Sequence, residues 1–402
     1  MPSTIVDAMP QWIDDSHLDP TWFTAQTQIP CTKITAQDIS TNQGRVGSVP
    51  RDGGTLLLTC ETDGGVQQSL VLKQCSALQL SRQLGLAREA LFYRGRRSTE
   101  FALPKIYYAY GDMETGEKCV IMESLSDDAW IEAGYFFGPT STFPSNPHNW
   151  SRPIANRLSE AFGNQTVPTA VDVARACFVA VAKIHATFWC HPSLLDYPWL
   201  RGHAWHQGQG QDSWEASQSL IQNIWQKAQS QTTIQWDDRV REAVAHCIKG
   251  ISWDRRPQHK YWTLVHGDFW PGNILWNTTK NRTVDQLKLI DWEMVGLSSG
   301  PQDLGQYVIS NMDPVDRRAC EKELVRAYYD ELLRNGVKDD ENDLWDFCWN
   351  EYQIGGVERW LWFLVWFLGQ ENLQFSQFFH DQIAAFMHDH DLTAENLTQP
   401  RP

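Results

Sequence analysis

The stretch Leu264-Val-His-Gly-Asp-Phe-Trp-Pro-Gly-Asn273, followed by Leu289-Ile-Asp-Trp-Glu293, decides the reading of this chain. It sets Asp268 five positions before Asn273 and brings in Asp291 after a short hairpin-like stretch. Phosphoryl transfer from a nucleotide to a hydroxyl needs that set of groups. One carboxylate orients the hydroxyl and accepts its proton, while an amide oxygen and a second carboxylate hold Mg2+ against the phosphates. On this chemistry Asp268 is the candidate base, and Asn273 and Asp291 are the candidate metal ligands.

Working outward, the first third of the chain reads as β-rich. Strands are expected over Cys31–Ser40, Thr55–Cys60, Gln68–Lys73, Lys105–Gly111 and Lys118–Met122, with turns at Asp63-Gly-Gly65 and Glu114-Thr-Gly116. A helix is expected from Ser81 to Arg97, carrying Glu89. Residues 126–168 break this rhythm with Gly138-Pro139 and Pro144-Ser-Asn-Pro147, and read as an insertion or lid with a short helix near Ile154–Phe162. Beyond it the chain is mostly helical. Thr169 with Asp172 forms a capping pattern ahead of a helix over Asp172–Trp189. Further helices are expected near Asp212–Ser230, Trp236–Gly250, Arg317–Asn335, Asp343–Phe367 and Ser376–His388. The domains follow as residues 1–125 and 126–402.

The loop pattern His-x-Asp-x-x-x-x-Asn, with Asp-Trp-Glu in place of Asp-Phe-Gly, resembles the kinase catalytic and metal-binding loops. With Gly267 in the middle of the first triplet it is most similar to the aminoglycoside phosphotransferase and choline kinase group of small-molecule kinases. The phrasing looks most like the ecdysteroid-kinase-like branch. Ala182-Lys-Ile-His-Ala-Thr-Phe-Trp189 resembles a helix of that family and would pack His185 behind the catalytic loop. The resemblance implies an α+β, two-lobed protein-kinase-like fold, with a β-rich N-lobe and a mostly helical C-lobe. It also implies ATP and Mg2+ as cofactors and a small-molecule alcohol as acceptor.

Other residues take roles within that frame. Lys73 would hold the α/β-phosphates, steadied by Glu89. Gly44, Gly47 and Ser48 are candidates for a phosphate-covering loop, although no Walker A pattern is present. The backbone at Glu123–Leu125 stands where the hinge would pair with the base. His266 and Asp303 are expected to support the loop rather than to move protons, and Glu293 either assists a second Mg2+ through water or is a salt-bridged or solvent-facing residue. Twenty tryptophans are far more than a chain of this length needs. Each alone is first a packing residue. As a group they suggest an aromatic acceptor pocket, for which Trp270, Trp360, Trp366 and Glu358 are the candidates.

Composition narrows the partners. A net charge of −15 argues against nucleic acid or an anionic membrane. The nine cysteines are scattered singly, without metal-ligand spacing, so a reducing, cytoplasmic setting is expected. No signal peptide or membrane span is read from the sequence. The acidic balance leans toward a cationic or amine-bearing acceptor, and the family branch toward an apolar one. Two other functions are weighed: a nucleotide-binding pseudokinase or regulatory module, disfavoured because all five core polar groups are present, and a protein kinase. The second is disfavoured by Gly267 and by the lack of an Ala-Pro-Glu segment after Asp291.

Overall fold

Short apolar runs, Leu56–Leu58 within Thr55–Glu61 and Leu70–Leu72 within Gln67–Gln74, form the centre of an antiparallel sheet. In a computed structural model, residues 9–39, 54–75, 77–94, 101–125, 129–137, 154–202, 210–230, 234–249, 260–279, 286–339, 342–369 and 373–398 are described. Among them the first seven strands are β1 (Trp12–Asp14), β2 (His17–Leu18), β3 (Lys33–Asp38), β4 (Thr55–Glu61), β5 (Gln67–Gln74), β6 (Ile106–Gly111) and β7 (Lys118–Glu123). They form one sheet in the order β1-β2-β3-β4-β5-β7-β6. One face buries Ile34, Leu58, Cys60, Leu70, Leu72 and Ile121 beneath Trp22 and Phe23 of helix α1 (Pro20–Thr27). Because side chains alternate along a strand, Lys73 takes the opposite face from Leu72. Lys73 pairs with Val120 across β5 and β7, so Lys118, two residues before Val120, lies on the same face as Lys73.

The helix expected over Ser81–Arg97 is instead two helices, α2 (Leu78–Leu84) and α3 (Arg88–Tyr93). Gly85 separates them at φ +71°, a left-handed conformation that ends a helix and favours glycine. A Cβ there would also lie 2.4 Å from the Arg88 guanidinium. Two strands and one helix before residue 30 had no counterpart in the sequence reading. Their local signal is Asp19-Pro20, an N-cap and first-turn proline, with Asp19 accepting the Thr21 N–H at 2.8 Å.

The remaining helices are α4 (Ile154–Phe162), α5 (Ala170–Thr187), α6 (Gln211–Ala228), α7 (Asp238–Ile248), α8 (Pro301–Asn311), α9 (Pro314–Arg334), α10 (Leu344–Gly369), α11 (Leu373–Asp389) and α12 (Ala394–Thr398). The Thr169/Asp172 capping box is formed at the start of α5. Strands β8 (Trp130–Glu132), β9 (Thr263–Val265), β10 (Ile274–Asn277), β11 (Leu287–Leu289) and β12 (Gly296–Ser298) are short, and β9 pairs antiparallel with β12. The chain divides into two compact units. Met1–Trp130 with Lys288–Met294 form the first, and Ile131–Leu287 with Val295–Pro402 form the second. Asp291 therefore belongs to the N-terminal, β-rich unit. Among the described residues, no helix is long and apolar enough to cross a membrane.

Candidate active site

In the first unit, five charged side chains form an alternating chain. Lys73 Nζ donates to Glu89 Oε1 at 2.7 Å and to Asp291 Oδ1 at 2.9 Å. Lys118 Nζ donates to the other Glu89 oxygen at 2.9 Å and to Glu293 Oε1 at 2.6 Å. All five residues are buried. Removing one partner from a buried ion pair costs about 3–5 kcal/mol, because it strands the other charge out of water. Two ammonium groups face three carboxylates here, which leaves a net charge of −1.

Several contacts hold the Asp291 loop in place. Leu289 N–H donates to the Ala102 carbonyl at 2.7 Å, and Arg88 Nη1 donates to the Glu293 carbonyl at 3.3 Å. The Trp292 ring stacks on Phe92 with centroids 4.1 Å apart. Asp291 itself sits at φ +67°. A non-glycine residue in that region costs roughly 1–2 kcal/mol, and such strain concentrates at functional sites. Burial pushes the nearby Tyr93 phenol well above its ordinary pKa, and Glu89, Asp291 and Glu293 add to the push.

The second unit carries the loop 264–273, expected to be catalytic, and Asp303 of α8 organises it. Asp303 accepts the His266 N–H at 2.7 Å and the Gly267 N–H at 3.0 Å, one on each oxygen. Gly267 adopts φ +75°, which explains glycine at the middle of the triplet. Burial raises the Asp303 pKa, but the His185 hydrogen bond and the charges of His185 and His266 outweigh it and hold the carboxyl below the usual range. His185 Nε2 lies 3.4 Å from Asp303, and its Nδ1 meets the Tyr328 hydroxyl at 2.9 Å. His266 uses its ring to accept the Asp268 backbone N–H at 3.3 Å.

Asp268 is partly exposed within a mostly buried loop. Asn273 Nδ2 donates to its Oδ2 at 2.8 Å and to its carbonyl at 3.0 Å. Gln306 Nε2 donates to its Oδ1 at 3.2 Å, while Gln306 Oε1 accepts the Phe269 N–H at 3.3 Å. Trp360 donates its indole N–H to the Gln306 carbonyl at 2.8 Å, and Arg359 Nε donates to the Gly267 carbonyl at 2.6 Å. Burial pulls the Arg201 guanidinium down to about 10, against the carboxylates of Asp303 and Asp268, which favour its charge.

Lys118, Arg201, Gln306 and Arg359 had no role in the sequence reading. Gln306 lies three residues after Asp303, a spacing that sets both on one side of α8, a helix with no counterpart in the sequence expectations. Among the residues assigned to base binding, Glu123 donates its N–H to the Lys105 carbonyl at 2.9 Å, and its carboxylate accepts the Lys105 N–H at 2.8 Å. Leu125 is half-buried at the edge of the described segment. Gly44, Gly47 and Ser48 lie outside the described residues. Of the acceptor candidates, Trp360 and Glu358 are both 4% exposed, and Trp360 stacks on Phe379 at 4.3 Å, so these two are packed inside the second unit. Trp366 is half-buried and stacks on Trp362, and the half-buried Trp270 folds its ring over Gly272.

Carboxylate and amide oxygens are the donors that a hard cation such as Mg2+ takes. Glu89, Asp291 and Glu293 bring carboxylate oxygens within 4.8 Å of one another, and the net negative charge suits a divalent ion. The donor chemistry fits, and the same three carboxylates also pair with Lys73 and Lys118.

The sheet-rich first unit and helical second unit define a two-lobed α+β protein of the protein-kinase-like class. Residues 204–338, which include the loop 264–273 and Asp291, match the model of the ecdysteroid kinase-like family. The resemblance read from the motifs is thereby borne out. Choline kinase from Cryptosporidium parvum Iowa II superposes with a TM-score of 0.51 at 10% identity, covering 92% of each chain. A choline/ethanolamine kinase family protein from Mesorhizobium loti has a TM-score of 0.42 at 15% identity, covering 88% of this chain and 93% of that one. Aminoglycoside 2'-phosphotransferase-IIIa, solved as its GDP complex, has a TM-score of 0.45 at 11% identity, covering 92% and 99%. At 10% identity the Cryptosporidium match speaks for the fold alone. No curated protein matches the sequence.

Proposed function

We propose that this chain is a small-molecule phosphotransferase that moves the γ-phosphate of MgATP to a hydroxyl group. The setting of Asp268 carries the proposal: two side-chain amides orient a partly exposed carboxylate on a loop that is mostly buried and tied down. In this reading Asp268 aligns the acceptor hydroxyl and takes its proton. Asn273 gives its amide N–H to Asp268, so its carbonyl oxygen is the end it offers to Mg2+, with Asp291 as the second ligand. Bound Mg2+ offsets the charge of the phosphates. Lys73, steadied by Glu89, binds the α/β-phosphates. His266 and Asp303 keep the loop in shape. The acceptor is a small alcohol, cationic or apolar, for which Trp270 and Trp366 are the accessible aromatic candidates.

Asp268→Asn tests the assignment. Transfer to the acceptor should fall by about 10²–10⁴-fold, the usual contribution of a positioned base, while binding of a non-hydrolysable ATP analogue persists. Undiminished transfer would remove Asp268 from the role. Wild-type protein that binds MgATP yet phosphorylates nothing in a broad panel of alcohols would instead be a nucleotide-binding module.

A further inference from the structure

Three carboxylates crowded into one buried cluster would ordinarily be separated by water or by a metal ion. Here Lys118 lies between two of them, bonded to Glu89 at 2.9 Å and to Glu293 at 2.6 Å. Strand register puts it there, because β5 and β7 set Lys73 and Lys118 on one face of the sheet. Glu89 is shared between them, with one oxygen on each ammonium. Glu293 is thus tied to Lys118, and its backbone carbonyl to Arg88.

We infer that Lys118 is a positioning residue: a protein-borne cation that fills the space between Glu89 and Glu293 and so keeps a divalent ion off Glu293. This deepens the proposed nucleotide-binding role and rests on it. Asp291, held at Oδ1 by Lys73, is the carboxylate that the proposed function assigns to Mg2+, and Glu89 is kept oriented toward Lys73. An ammonium suits this task because it carries one charge and three donors on a flexible stem and cannot act as a metal ligand. A second metal ion on Glu293 would bring two further charges and compete with Lys73 for Glu89.

The test counts ions rather than turnover. Mn2+ binding to the full chain is followed by electron paramagnetic resonance, without nucleotide and with a non-hydrolysable ATP analogue. Lys118→Met should bind one more Mn2+ than wild type in both conditions, and Lys118→Met/Glu293→Gln should return to the wild-type number. Glu293→Gln alone should leave the number unchanged, which keeps the inference testable should Lys118→Met fail to fold. An unchanged count in folded Lys118→Met, or loss of an ion in Glu293→Gln, would overturn it. The two readings fail separately. Wild type that binds no Mn2+ even with nucleotide would defeat the phosphotransfer reading, while the extra ion in nucleotide-free Lys118→Met still decides the role of Lys118.

Discussion

Gln306 shows how a single neutral side chain can hold two parts of the 264–273 loop at once. Its amide donates to the Asp268 carboxylate and accepts the Phe269 N–H, so both ends are committed to neighbouring residues of one turn. A hydrogen bond to a charged group contributes about 1.5–3 kcal/mol. If that bond holds Asp268 in line with the acceptor, Gln306→Leu should lower kcat by roughly ten- to a hundredfold. The KM for ATP should stay near wild type, because the nucleotide contacts proposed here do not include Gln306. Gln306→Glu, equal in size, should fare no better, since it sets a second carboxylate against Asp268. A rise in the ATP KM with kcat unchanged would show that Gln306 acts elsewhere. Residues of this kind escape sequence reading for a physical reason. Asp268 and Asn273 are legible because their relation is local, five residues along one loop. Gln306 reaches Asp268 across 38 residues, and Lys118 reaches Glu293 across 175. No spacing rule anticipates a partner that only the fold supplies, and a glutamine in a helix or a lysine opening a strand is otherwise an ordinary residue.

At the scale of elements, the support behind the 264–273 loop depends on how closely α8 and α10 cross. Gly305 of α8 meets Gly356 of α10, and a Cβ on Gly305 would fall 2.1 Å from the Tyr352 carbonyl oxygen and 2.8 Å from Gly356 Cα. Those are backbone atoms, so no side-chain rotation relieves the clash. Gly305→Ala should therefore destabilise the protein by about 1–3 kcal/mol, the usual cost of overpacking. It should also reduce transfer, because Asp303 and Gln306 flank the displaced residue on the same helix. Thermal unfolding checks this: a change in Tm of under one degree, with activity retained, would show that the helices separate at little cost. Five of the twenty tryptophans lie in α10. Trp345 stacks on Trp349 and Trp349 on Tyr352, while Trp360 and Trp362 are buried. Aromatic periodicity made this helix legible, but periodicity alone does not separate a packed face from a ligand-facing one. The break at Gly85 was hidden for a related reason: a single glycine is compatible with a continuous helix until its positive φ is seen.

At the scale of the whole molecule, two electrostatic effects oppose each other as pH falls. Acidic residues outnumber lysine and arginine by 49 to 34, so the first protons taken up relieve self-repulsion and favour the compact state. Buried carboxylates act in the other direction. Asp303 is held below the ordinary carboxylate range by His185 and His266, whose effect exceeds the raising effect of burial. Glu321 is likewise raised by burial but brought down further by its bonds and charge contacts with His390, Arg317 and Tyr352. A carboxyl whose folded pKa lies below its unfolded value binds fewer protons when folded. Its contribution is fully present above the unfolded value, about 4, and is lost as pH falls through the folded one. Stability measured by urea midpoint should therefore hold or rise as pH is lowered from 7 toward 5, then fall steeply below about 4. Asp303→Asn and Glu321→Gln should each be less stable than wild type near neutrality. Each should also show a shallower decline on the acid side, because the group that must be protonated is gone. Acid limbs parallel to wild type in both variants would mean that other carboxylates govern acid unfolding and that these two buried networks contribute no proton linkage.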